Sequence, residues 1–530
     1  MYGKRPIVAS LDGVVAAAHP LAAAAGATVL RNGGNAFDAA VACAAALNVV
    51  EPFMSGIAGL GMATCFSAAD QRVHTLDFVT RIPQGFDASI TAREEIFVGP
   101  RASAPPGNLA GWCSLLDRFG TRSLADVLAP AIELAERGFP VTDGIPAVTQ
   151  EWFDVRRDET EWQRVYTNGH ANIEPGWILR QPDLADTLSA IASVGKRHLY
   201  DGPLGERMLD HLRGRGGFLS EADLQAVAPE WLQPLATDYR GWQIHTLPPP
   251  AESFQFLLTL AALRAVNLGE CEPGGAEHFD ALIRACRLAS ELRVEHNKSD
   301  RQKIEALFAD EQLHLMTAQV LGTEPLSGRM QRHAAMTDRR LVGLREHTTS
   351  ISAGDRDGNM VCITQSLGSI YGSGVVIPGT GVCMNNFLNW GDLDPASPNA
   401  LSPGEPMAMC LAPSVALRDG APVLALGTPG SYGILQTQPQ VYSYLLDFGM
   451  PLQEAIEAPR ARLWDGTLVH MESRVGAPAI DSLRARGHDI ELIEPWSRKV
   501  GGFQGVYRDP ASGALFGGAD PRRDGYAIAT

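Results

Sequence analysis

Two apolar stretches separated by a short polar and glycine-rich break lie near the start of the chain. Residues 19 to 50 predict two consecutive helices: Pro20 suits a first helical position, Gly33-Gly34 suits a C-terminal cap, and Asn35 can cap the next helix with Asp38 three residues on. The second helix, Ala36 to Val50, is almost wholly apolar and therefore belongs inside a large protein. From about residue 120 to 300 the pattern is mainly helical. It is clearest at Leu124 to Arg137 and at Ala276 to Lys298, where Phe279, Leu282, Ile283 and Cys286 recur at helical spacing. Ser220 and Asp223 resemble a capping box and predict a short helix. Residues 323 to 347, with Gly328, Arg329, Arg332, Arg339, Arg340 and Arg345, sustain no apolar period and predict an exposed linker. Beyond it the period turns from helical to alternating. Thr349 to Ala353 and Met360 to Ser366 predict strands around Asp357-Gly358, and Leu411 to Leu417 with Val423 to Leu426 predict a second hairpin around Asp419-Gly420. That hairpin ends in Gly427-Thr428-Pro429-Gly430-Ser431 and leads into a helix over Ile434 to Phe448, kinked or delayed by Pro439. A strand passing through a glycine turn into a helix presents free backbone amides, from which an anion or oxyanion site can be built.

Composition narrows the class. A chain of 530 residues, 45% hydrophobic and 20% charged, is globular, and at about 150 residues per domain its length suggests three to four units. Lys+Arg 44 against Asp+Glu 60 gives a net charge of −16, which repels polyphosphate and anionic lipid, so neither nucleic acid nor membrane is an expected partner. No run of about 18 apolar residues and no signal peptide is visible, so the expected compartment is the cytoplasm. The cysteines Cys43, Cys65, Cys113, Cys271, Cys286, Cys362, Cys383 and Cys410 are scattered, without a CxxC pair, and read as reduced core residues rather than a disulfide scaffold or a zinc site.

Several familiar catalytic arrangements are absent. There is no G-x-S-x-G, H-E-x-x-H or G-x-x-x-x-G-K-[ST], and Gly56, Gly59 and Gly61 lack the dinucleotide-binding spacing. What remains is His347-Thr348-Thr349, where the predicted linker meets a strand. Tandem threonines at a strand start are by themselves explained by β-propensity.

A wider set of blocks gives the threonines another meaning. Thr348-Thr349-Ser350-Ile351-Ser352, Asp357-Gly358-Asn359, Thr364-Gln365-Ser366-Leu367 and Tyr371-Gly372-Ser373-Gly374 together resemble the signature of the γ-glutamyltransferase family. Asn32 to Ala40, Ser55-Gly56-Ile57, Leu219 to Leu224, Pro378 to Gly381, Asn385-Asn386, Gly427 to Gly430, Ala458-Pro459-Arg460 and Asp520-Pro521-Arg522 extend the resemblance over nearly the whole chain. It implies an α/β protein with the four-layer αββα sandwich of N-terminal-nucleophile hydrolases. It implies also a precursor cut autocatalytically between His347 and Thr348. Residues 1–347 and 348–530 would then form one interwoven unit, a heterodimer that can pair again as a dimer of heterodimers. An internal threonine has no base of its own, whereas a new terminal amine, with a pKa of about 7.7 to 8.0, can take the hydroxyl proton. By the same resemblance Thr348 is the nucleophile, Thr364 and Ser366 lie on the neighbouring strand, and Ser366 stands where the family usually has a threonine bonded to the nucleophile. The amides of Gly430 and Ser431 fall at the oxyanion hole. No metal or organic cofactor is implied.

The substrate positions depart from the family. Val79 follows Asp77-Phe78 where an arginine usually grips the glutamyl carboxylate, Phe387 and Trp390 occupy the amine-binding positions, and Met409-Cys410 replaces a serine pair. Gly368 and Ser350 replace an asparagine and a histidine. Burying a zwitterion without partners costs several kcal/mol per charge, which disfavours glutathione. The expectation is therefore a small or non-glutamyl amide. Oxamate would need a single cation such as Arg81, and a large apolar acyl group, as in cephalosporin acylases, would be lined by Phe387, Trp390 and Met409. A γ-glutamyl pocket rearranged around Arg81 with Asp392 or Asn389, and an unprocessed binding protein without catalysis, are the alternatives.

Overall fold

Two seven-stranded antiparallel sheets lie face to face between two layers of helices in the computed structural model, which describes residues 5–167, 169, 172–330 and 347–530. In chain order the strands are β1 (Val8–Ser10), β2 (Gly13–Ala17), β3 (Leu60–Ser67), β4 (Arg72–Asp77), β5 (Glu230–Leu232), β6 (Leu235–Tyr239), β7 (Trp242–Thr246), β8 (Thr349–Asp355), β9 (Met360–Ser366), β10 (Ser414–Arg418), β11 (Ala421–Gly427), β12 (Gln504–Arg508), β13 (Leu515–Ala519) and β14 (Tyr526–Ala529). The first sheet runs β14-β2-β8-β9-β3-β4-β5 and the second β1-β13-β12-β11-β10-β7-β6. Val14, Ala16, Phe66, Met360, Cys362, Val415, Ala425, Val506 and Leu515 fill the space between them. This is the four-layer αββα sandwich that the resemblance implies. Both sheets mix strands from before and after residue 347, so the two segments share both sheets.

The outer face of the first sheet is covered by α1 (Pro20–Arg31), α2 (Ala36–Val50) and α3 (Leu124–Arg137). The all-apolar sequence of α2 follows from its place, because every one of its residues is buried between α1, α3 and the sheet. Its start is fixed by the predicted capping box, in which Asn35 and Asp38 bond each other's backbone amides. Ser123 with Asp126 and Ser220 with Asp223 form the same motif. The second sheet carries α4 (Phe254–Leu263), against which α5 (Ala276–His296) and α6 (Ile434–Leu446) pack.

Three strands, β5, β6 and β7, fall within the stretch whose pattern is mainly helical. They are three to five residues long, β5 and β6 at sheet edges and β7 next to β6, so they carry too little alternation to stand out. The helix after Ser431 begins late, behind a short 3-10 turn at Ser431–Gly433, with Pro439 inside it. The predicted linker is exposed or half-exposed over 323–327 and is corrected on either side of 331–346. Met330 is buried against Phe279 and Ile283 of α5, and both ring nitrogens of His347 are buried, while 331–346 lie outside the described residues. All eight cysteines are unpaired and all but Cys271 are buried. No described helix is long and apolar enough to cross a membrane.

The Ala-Pro-Arg and Asp-Pro-Arg blocks meet in a buried ion network. Arg460 bonds Asp520 at 2.6 Å, and Arg522 bonds both Asp520 at 3.1 Å and Glu472 at 2.6 Å, all four side chains being inaccessible to solvent.

Candidate active site

The open end of the β8–β9 hairpin carries the two hydroxyls singled out by the sequence. Thr349 pairs with Gln365, so the next step of the same register sets Thr348 opposite Ser366. Both hydroxyls donate to one acceptor, the carbonyl oxygen of His347: Thr348 Oγ1 at 2.7 Å and Ser366 Oγ at 2.6 Å. Ser366 Oγ in turn accepts the amide of Gly368 at 2.9 Å, which fixes its rotamer. The carbonyl of the peptide bond before Thr348 is thus polarised from two sides, with no water between. Gly59 is required beneath it, because a Cβ there would lie 2.3 Å from the Ser366 carbonyl oxygen.

Side chains alternate along β8, and Ser352 donates across the sandwich to the Gln504 carbonyl at 3.0 Å. Ser350 is on that face and pairs with Thr364. The Thr364 hydroxyl has no hydrogen-bond partner among the described residues, and it faces Gly427, where a Cβ would stand 3.4 Å from it. Ser366, not Thr364, therefore shares the His347 carbonyl with Thr348. Gly427 ends β11 opposite the start of β8, so the turn that follows stands at the same end of the sandwich as Thr348. In that turn Gly430 has φ +131 and Ser431 φ +57, a conformation uncommon for a residue with a side chain. Neither amide donates a hydrogen bond among the described residues.

His347 is the other half of the bond. Its ring stands 6.2 Å from that of Trp152, and burial, then Arg523, Arg498 and Arg462, hold it well below the usual imidazole range and so neutral. Trp152 and these arginines come from distant segments, and nothing local in the sequence marks them.

The residues expected to hold substrate separate into two places. Phe387, Trp390, Met409 and Cys410 are buried in one apolar cluster with Leu60, Ile82, Met407 and Tyr432. Trp390 approaches the nucleophile's neighbourhood: its Nε1 is 3.3 Å from where a Cβ on Gly368 would be, and its ring is 6.1 Å from Tyr432, the residue after Ser431. Burial pushes the Cys410 thiol far up, so it is apolar lining and not a second nucleophile. Arg81 is placed differently from expectation. Its exposed guanidinium lies 3.7 Å from Glu230 and 3.3 Å from the Gly404 carbonyl, in a cleft of about 330 Å³ lined by Asp77, Val79, Pro105, Pro250 and Pro406. Two other cations border this cluster: the half-buried Arg93 donates to the Asn389 and Gly391 carbonyls and braces the turn that carries Phe387 and Trp390, and the buried Arg293 stands 4.4 Å over the Tyr432 ring, paired with Glu252. Asp392 accepts the Ser397 hydroxyl, and Asn389 Oδ1 is buried without a partner among the described residues. Arg93 sits in a charged stretch that reads as surface, so sequence reasoning passes over it.

Comparison with known proteins bears on this geometry. The family model described as Gamma-glutamyltranspeptidase matches residues 22–530. The chain is 34% identical to the Acylase ACY 1 proenzyme of Pseudomonas sp. (strain V22), over 99% of this chain and 95% of that one. It is 30% identical to the Oxamate amidohydrolase proenzyme of Klebsiella pneumoniae, over 98% of each. Among solved structures, the cephalosporin acylase from Bacillus halodurans superposes with a TM-score of 0.90 at 29% identity, covering 100% of this chain and 98% of that one.

Proposed function

The chain belongs to the gamma-glutamyltranspeptidase family and is an amidohydrolase of it; from that premise we propose that it matures by cutting itself before Thr348 and then hydrolyses the amide of an apolar, non-glutamyl acyl group. The observation that carries the reading is the double grip of Thr348 and Ser366 on the His347 carbonyl, at 2.7 and 2.6 Å. Attack of Thr348 Oγ1 on that carbonyl carbon, with Ser366 holding the oxygen, converts the peptide into an ester. Water then frees a threonine whose own amine serves as base.

In the mature enzyme the Thr348 hydroxyl gives its proton to that amine and attacks the substrate carbonyl. The amides of Gly430 and Ser431 hold the oxyanion, each donor being worth about 10²–10³ in rate. The amine returns the proton to the leaving nitrogen, and water, activated in the same way, releases the acid. Ser366 keeps the nucleophile aligned and Thr364 lines the strand beside it.

The acyl class follows from the wall. Phe387, Trp390 and Met409 are buried and apolar, the neighbouring Arg93 and Arg293 are engaged with backbone carbonyls and with Glu252, and Arg81, the group on which an oxamate or glutamyl carboxylate would depend, lies exposed beside Glu230. Two of the similar proteins are named acylases, which supports an apolar acyl group over oxamate and over a γ-glutamyl group. The test is a hydrolysis panel of aromatic and glutaryl amides, oxamate and a γ-glutamyl anilide with wild type and Thr348→Ala. Turnover of the aromatic amides that vanishes in Thr348→Ala is expected, whereas turnover confined to the glutaryl amides, whose acyl group carries a carboxylate, overturns the apolar assignment. Turnover confined to the γ-glutamyl anilide or to oxamate overturns the acyl assignment, and full activity in Thr348→Ala overturns the nucleophile.

A further inference from the structure

Two carboxyl groups face each other at the edge of the first sheet. Asp77, the last residue of β4, is the direct cross-strand partner of Glu230 on β5, and both line the cleft of about 330 Å³ that also holds Arg81. Side chains paired in this way have Cβ atoms about 4.5–5.5 Å apart, and like charges so placed repel each other. We propose that the cleft is a binding site for a primary aliphatic ammonium group, held between the Asp77 and Glu230 carboxylates.

Asp77 is the inner of the two. It is 8% exposed, and the one hydrogen bond that its carboxyl makes among the described residues comes from the Val79 amide, to Oδ1 at 2.8 Å. Oδ2 makes none, in a residue that lines the cleft. A buried carboxylate left half-satisfied is costly and calls for a donor. The other charged groups of the cleft are already matched. Arg81 serves Glu230 at 3.7 Å and the Gly404 carbonyl at 3.3 Å, and makes no ion pair with Asp77. Asp223 accepts the Gln84 amide with Oδ1 and the Ser220 amide and hydroxyl with Oδ2. One acid therefore lacks its counter-charge.

The remaining wall selects the kind of cation. Val79, Pro105, Pro250 and Pro406 present an apolar surface, and the volume lies at the lower end of small-molecule sites. An ammonium on a short alkyl chain fits: its three N–H donors meet the two carboxylates, and its chain lies along the prolines. A divalent metal does not fit, because no group of three His, Cys, Asp or Glu side chains able to hold one occurs among the described residues. A quaternary ammonium has no N–H for Oδ2. The register also sets the cleft near the candidate active site. Asp77 pairs with Met62 and Met62 with Thr364, so Asp77 shares the face of Thr364 and lies two strands, about 10 Å, from it. The ammonium can thus be the far end of an amide substrate or a free amine.

The charged groups facing Asp77 in the cleft are Glu230 on β5, Arg81 after β4 and Asp223 in the short helix Glu221–Gln225. Burial pushes the Asp77 carboxyl up to about 7 against the pull of the Val79 amide, with Glu230 adding to the rise. Below that pH the empty site holds a proton that an incoming ammonium displaces, so binding tightens as pH rises through about 7.

The test is calorimetric titration of the full-length protein with n-butylammonium chloride, with 1-butanol and potassium chloride as controls. Saturable binding of butylammonium below about 10 mM at pH 8, and none of either control, is expected. Asp77→Asn, which keeps the acceptor for the Val79 amide, should weaken binding at least about tenfold. Wild-type affinity should rise between about pH 6 and pH 8, and the heat at pH 6 should vary with the ionisation enthalpy of the buffer as a proton is released. Absent saturation, equal binding of a control, or unchanged affinity in Asp77→Asn overturns the proposal. If Asp77→Asn fails to fold by circular dichroism, the wild-type pH series decides: a rising affinity supports the site and a flat one overturns it. Once binding is established, butylammonium that raises KM alone in amide hydrolysis marks the site as holding the end of the substrate, and unchanged kinetics mark it as holding a free amine. The titration needs no turnover, so its failure is distinct from failure of the Thr348 reading.

Discussion

Ser366 ties the side-chain chemistry of the site to one atom. Its hydroxyl donates to the His347 carbonyl oxygen and accepts the Gly368 amide, so in the proposed self-cleavage it would stabilise the oxygen on which negative charge develops. Ser366→Ala should slow conversion of the precursor by about 10²–10³, read as the half-time of the full-length band, whereas Ser366→Thr, which keeps the hydroxyl, should stay near wild type. Conversion of Ser366→Ala at the wild-type rate would show that the contact is incidental. Thr348, Ser366, Gly430 and Ser431 are legible in the sequence because each lies in a block whose order and spacing carry the family resemblance. Arg93, Arg498 and Arg523 are not. They matter through neighbours far away in the chain, Asn389 and Gly391 for Arg93 and His347 for the other two, and one-dimensional spacing does not hold that. Arg81 shows the converse: its proximity in sequence to Val79 suggested a replacement cation, but its side chain is directed into a surface cleft shared with Glu230.

At the level of elements, the α1–α2 pair shows why small residues are concentrated where they are. A Cβ on Gly26 would stand 2.8 Å from the Ala39 carbonyl oxygen and 3.1 Å from Val15, so α1 meets α2 and the sheet at backbone distance. Gly26→Val should cost about 1–3 kcal/mol through overpacking and lower the Tm by several degrees, with activity at low temperature retained. An unchanged Tm would mean that the helices separate freely. These helices, the capping boxes and the β8–β9 and β10–β11 hairpins could be read directly, since caps, apolar periodicity and Asp-Gly turns are local signals. β5, β6 and β7 could not, because a strand of three to five residues is defined by what it pairs with.

Across the whole molecule, length alone suggested several domains, yet both sheets are built jointly by residues before and after 347. Fragments 1–347 and 348–530 should therefore co-elute on size exclusion in native buffer and part only in denaturant; separation in native buffer would contradict the shared sheets. The buried Arg460–Asp520–Arg522–Glu472 network adds a pH signature. Burial alone would raise the Asp520 carboxyl, but Arg460 and Arg522 outweigh it and hold it at about 2. Its folded pKa is thus below the unfolded value of about 3.9, so its contribution is complete above that pH and is lost as pH falls toward 2. Urea midpoints should fall more steeply between pH 4 and 2 in wild type than in Asp520→Asn, and parallel curves would contradict this. The central claim, that the chain makes its own threonine nucleophile, is tested most directly by intact-mass measurement and N-terminal sequencing of the active protein. The account predicts a fragment beginning Thr348-Thr349-Ser350 in wild type and a single uncut chain in Thr348→Ala. An active wild-type preparation that consists only of the full-length chain would contradict it.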